Sequence, residues 1–122
     1  MAPARRRRTL AQWFRMALAT PDQREAIELE EIARDAGAQP VKAAQLRSRV
    51  RVCGTVVRAR TVPESCWFEA VLDDGTGTVT LVWMGRPKVA GIVEGVKLLV
   101  SGRLTEQDGR KLIYNPEFEM LS

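Results

Sequence analysis

The sequence predicts a mainly β domain in which five short strands close on themselves, preceded by a helical extension. Three observations carry that prediction. Apolar residues recur at helical spacing in the first third of the chain and at every second position from Val50 onward. Gly54 and Gly102 interrupt two strands at points where a small closed sheet has to bend. A longer connection separates the third and fourth strands, while turn signals join the other neighbours.

The elements follow in order. Arg5, Arg6, Arg7 and Arg8 are like charges without an apolar partner, so residues 1–8 read as a disordered basic tail. Leu10, Trp13, Phe14 and Leu18 form one helical stripe. Thr20-Pro21 reads as an N-cap and first helical residue of a second helix. That helix carries Leu29, Ile32, Ala33 and Ala36 on one face and ends at Gly37 in a left-handed cap. Residues 9–37 are therefore a helical extension, and residues 40–122 the main domain.

Within that domain Val50, Val52 and Val56 mark the first strand, with a bulge expected at Gly54 and a loop from Thr61 to Ser65. Phe68, Ala70 and Leu72 mark the second, and Asp74-Gly75-Thr76-Gly77 turns it into a third bearing Val79, Leu81 and Trp83. Pro87 to Glu94 reads as a short helix or an irregular connector. Val96, Leu98, Val100 and Leu104 mark the fourth strand, and Asp108-Gly109 turns it into a fifth from Arg110 to Tyr114. The segment PEFEML then follows as an extended tail. Three strands, a connector helix and two strands, β-β-β-α-β-β, is the order of a five-stranded OB-fold barrel.

Composition narrows the chemistry. The chain has 122 residues, one domain's worth with an appendage, and no histidine. Without histidine and with only Cys53 and Cys66, hydrolytic triads and four-ligand structural zinc sites are excluded. No metal or cofactor is expected. No window approaches the roughly 18 apolar residues of a membrane span, and the start is too polar for a secretory signal, so a cytoplasmic location is the expectation. Charge comes in blocks. Residues 1–20 carry five arginines and no acid (+5), residues 21–36 six acids against two arginines (−4), and residues 47–114 eleven bases against seven acids (+4). Such blocks mark interaction surfaces.

The tracts VRVCGTVV, FEAVLDDGTGTVTLVWMGR, GIVEGVKLLVSGRL and GRKLIYNPEFEML resemble small stand-alone bacterial OB-fold nucleic-acid-binding proteins. They also look like the wedge OB domain of RecG-type helicases. WMGRPKVAGIVEG and IYNPEFE are the more particular tracts, and they favour the stand-alone family. The resemblance implies a non-enzymatic module whose ligand is nucleic acid; no helicase motor accompanies it.

OB domains bind single strands across strands two and three, where cations meet phosphates and flat side chains stack on bases. The candidate contacts are Arg58 and Arg60 at the end of strand one, Arg86 and Lys88 after strand three, and Arg103, Arg110 and Lys111 around the last hairpin. Trp67 has outward parity and is the best stacking candidate, with Thr80, Val82 and Met84 beside it. Trp83 shares parity with Val79 and Leu81 and belongs to the core, and Tyr114 either stacks or plugs the barrel end. Asp73 and Asp74 are explained by the turn, and Gly75 and Gly77 lack the lysine of a phosphate loop. The expected partner is single-stranded nucleic acid, DNA or RNA. The rival reading is a protein-interaction or homodimer module using residues 9–37; a membrane is the weaker partner for the basic start.

Overall fold

The computed structural model describes residues 20–121. The basic tail and the stripe Leu10, Trp13, Phe14 and Leu18 lie outside the described residues. The chain divides after Gly37 into two units.

In the first unit, α1 spans Pro21–Asp35. The Thr20 hydroxyl accepts from the Gln23 N–H at 3.3 Å, and the Gln23 side chain accepts from the Thr20 N–H at 2.9 Å. This reciprocal box satisfies donors that the first helical turn leaves open, and Pro21 supplies a residue that needs none. Leu29, Ile32 and Ala33 are half-buried along one side, and Gly37 ends the helix at φ +72° as its sequence predicts.

The second unit holds six strands: β1 (Arg49–Val62), β2 (Trp67–Asp73), β3 (Thr78–Met84), β4 (Lys97–Gln107), β5 (Arg110–Tyr114) and β6 (Glu117–Leu121). β1 serves two neighbours. Its first half pairs antiparallel with β4, its second half with β2, and β3 pairs parallel with β5. The sheet therefore closes in the order β1-β2-β3-β5-β4 and back to β1. The alternation read from the sequence builds the interior: Leu72, Leu81, Leu98, Leu104 and Ile113 are fully buried. Trp83 joins them, its ring 5.9 Å from Phe68 and edge-on to Phe118 at 5.7 Å.

Four expectations are corrected. The bulge of β1 lies between Val56 and Arg58, not at Gly54. Gly54 is instead where β1 passes against β2: a Cβ there would stand 2.6 Å from the Asp73 carbonyl oxygen. β1 continues to Val62 because Arg58 to Val62 pair with β2, which reduces the expected loop to a 3-10 turn at Pro63–Ser65. Residues 85–96 form turns and no helix, so the α of the predicted order is absent there. Pro87 and the left-handed Gly85, Gly91 and Gly95 break any helical run. Finally, the tail is a paired strand. β6 runs on from β5 along the same edge of β4, and Asn115 (φ +48°) with Pro116 absorbs the one-residue change of register.

Candidate nucleic-acid interface

Register decides which side chains share the outer face. Arg60, Glu69, Val82 and Tyr114 stand in one row across β1, β2, β3 and β5. Arg58, Val71, Thr80 and Leu112 form the next row, and Val62, Trp67 and Met84 the row on the other side. The face thus has arginines along its β1 edge, Tyr114 along its β5 edge, and Trp67 with Met84 at one end.

Arg58 is exposed, and Arg60 is held at 3.3 Å from the Glu69 carboxylate, which is only 12% exposed. That pair keeps the guanidinium on the face while leaving it open to solvent. Trp67 is half-buried on the outer side, as its parity predicts, and its Nε1 is closed off without an acceptor among the described residues. Met84 is 50% exposed; its N–H donates to the Asn115 side chain at 2.9 Å, which ties the end of β3 to the β5–β6 junction. Tyr114 lies in the outer row and is 37% exposed, so it does not plug the interior; its hydroxyl donates to Gln107 at 3.1 Å.

Thr80 and Val82 do not line an open surface: they are 6% and 2% exposed. Leu112, beside Thr80 on β5, is buried with them at 2% exposed. The accessible platform is therefore smaller than the sequence suggests, and it is concentrated at Trp67 and Met84.

The connector brings two more cations to that end. Arg86 and Lys88 are exposed, and the Thr61 hydroxyl donates to the Pro87 carbonyl at 2.6 Å, fastening the connector to β1. Sequence reasoning missed this clamp, because nothing local relates Thr61 to Pro87. Around the last hairpin the outcome is mixed. Arg110 is exposed at the turn, but Lys111 donates to the Val41 carbonyl at 2.8 Å and faces away from the platform. Arg103 is exposed but pairs opposite Arg49, away from the hairpin.

The aspartates behave as turn residues. Asp73 accepts from the Gly75 N–H, and one oxygen of Asp74 accepts from Thr76 and Gly77. The other Asp74 oxygen accepts from the Val41 N–H at 2.8 Å, an anchoring role the sequence did not reveal. A 3-10 turn at Val41–Ala43 is thereby fixed to the β2–β3 hairpin.

No protein-family model matches the chain, and no curated protein matches it in sequence. Solved structures do match in shape. The OB domain of a Methanosarcina mazei protein is 17% identical, with 70% of this chain and 83% of that one covered, at a TM-score of 0.56. A chain of a replication protein A heterotrimer bound to single-stranded DNA is 17% identical over 67% of this chain and 63% of that one, TM-score 0.52. RecG bound to a three-way DNA junction is 20% identical over 86% of this chain but only 17% of its own, TM-score 0.51. At such identity the likeness is one of architecture, and together with the closed five-stranded sheet it shows that the chain carries an OB-fold.

Proposed function

We propose that this chain is a non-enzymatic module that binds single-stranded nucleic acid, DNA above all, across the outer face of β1, β2, β3 and β5. The register that sets Arg58 and Arg60 beside Trp67, Met84 and Tyr114 carries the reading. Arg86 and Lys88 extend the positive rim at the Trp67 end. The replication protein A relative bound to single-stranded DNA, and a replication factor A related protein of Methanobacterium thermoautotrophicum at TM-score 0.54, support it. On this reading the chain works in the cytoplasm, among the stand-alone bacterial OB-fold proteins that its WMGRPKVAGIVEG and IYNPEFE tracts resemble.

The test is intrinsic tryptophan fluorescence during titration with oligothymidylate. Stacking on Trp67 quenches the wild type, and Trp67→Ala loses about 1–3 kcal/mol of binding, roughly 5- to 150-fold. Arg58→Glu weakens binding further at low salt than at high salt. Unchanged affinity in both variants would sink this placement of the interface.

A further inference from the structure

A second cluster of arginines lies on a different part of the same strand. Arg49, in the half of β1 that pairs with β4, stands directly opposite Arg103, and both are exposed. Arg47 precedes them, exposed and left-handed at φ +63°, with its N–H anchored on the Leu104 carbonyl at 2.7 Å. Two features of this arrangement work against stability. Like charges directly opposed across an antiparallel pair repel. A left-handed residue that is not glycine, asparagine or aspartate is strained; Asp108 and Asn115 follow the usual preference, and Cys66 at the end of its 3-10 turn shares the strain of Arg47. Glu117 reaches Arg49 at 3.1 Å, but both partners are largely exposed, and one carboxylate leaves three guanidinium groups net positive.

Three exposed arginines gathered on one stretch of strand, two of them directly opposed, point to a ligand that supplies the missing negative charge. We infer that Arg47, Arg49 and Arg103 form a second track for the phosphate backbone of a single strand. The inference rests on the binding mode proposed above. From Arg49 to Arg60 the strand path is on the order of 35 Å at about 3.3 Å per residue. A short oligonucleotide on the Trp67 platform does not reach the second track, whereas a longer one leaves the platform and follows β1 onto it. Glu117 competes with the phosphates for Arg49.

The test is fluorescence anisotropy with labelled oligothymidylates of about 6 and about 20 nucleotides, within and beyond the span of one OB-fold. The long strand binds the wild type at least tenfold tighter than the short one. Arg47→Gly/Arg49→Ala removes most of that gain, leaves the short strand unaffected, and lowers the salt slope for the long strand by roughly 1.4, about 0.7 for each phosphate lost. Glu117→Gln tightens the long strand. Arg103→Glu relieves the repulsion, so its melting temperature rises while its affinity for the long strand falls. If the double variant binds the long strand as the wild type does, the second track is wrong and the platform stands. If the wild type binds neither length at low salt, the platform fails and the second track with it.

Discussion

Cys53 and Cys66 illustrate how environment divides one residue type into two chemistries. Cys53 is buried on β1; burial first, and the negative Asp74 second, push its thiol up to about 11 from an ordinary 9.0. Cys66 is exposed, at the left-handed end of the turn before β2. A thiol reagent at pH 8 therefore modifies Cys66 in the folded protein and reaches Cys53 only on unfolding. The sign of the pH effect follows. The unfolded thiol loses its proton near pH 9 while the folded one keeps it, so stability is complete below pH 9 and declines as pH rises toward 11. Denaturant melts at pH 8 and pH 10.5 should show a fall in the wild type that is smaller in Cys53→Ala. Trp67 gives a second prediction at this scale. Its Nε1 has no acceptor among the described residues, so Trp67→Phe keeps an aromatic ring, removes the orphan donor and leaves the melting temperature at or above that of the wild type. The outward parity of Trp67 and the inward parity of Trp83 were legible because alternation is a local signal. The burial of Thr80 and Val82 was not, because alternation tells which side of a strand a residue takes and not what covers it.

The β2–β3 hairpin and the 3-10 turn at Val41–Ala43 act as one element joined through Asp74. Its carboxylate accepts from Val41, Thr76 and Gly77, and the Val41 side chain is fully buried. Asp74→Ala leaves those donors unpaired and should lower stability by about 2–4 kcal/mol in urea melts, whereas Asp73→Ala loses a single turn hydrogen bond and less than half as much. Gly54→Ala brings a Cβ against the Asp73 backbone, which cannot swing aside, for a loss of about 1–3 kcal/mol. All five strands of the closed sheet were legible from alternation and turn residues. β6 was not: EFEML alternates, but Asn115-Pro116 reads as a stop, and only the edge of β4 turns the segment into a strand. The connector was ambiguous for a similar reason, since its apolar Val89 and Ile92 suit a helix while Pro87, Gly91 and Gly95 forbid one.

At the scale of the molecule, the reading is electrostatic with limited stacking. The body from residue 47 to 114 carries +4, its arginines are exposed, and few aromatics are available to hold bases. Affinity then comes mainly from displaced counterions, so it falls steeply with salt and depends little on base sequence. The positive rim was legible as a set of residues but not as a place: Lys111 turned to Val41 and Arg103 to Arg49 once the strands closed. The most direct measurement is anisotropy of a labelled oligothymidylate against the full chain across a salt series. Binding at low salt is expected, with the logarithm of affinity falling linearly against log salt at a slope of roughly −2 to −4 for three to five phosphate contacts. No binding at low salt, or binding indifferent to salt, would contradict this reading.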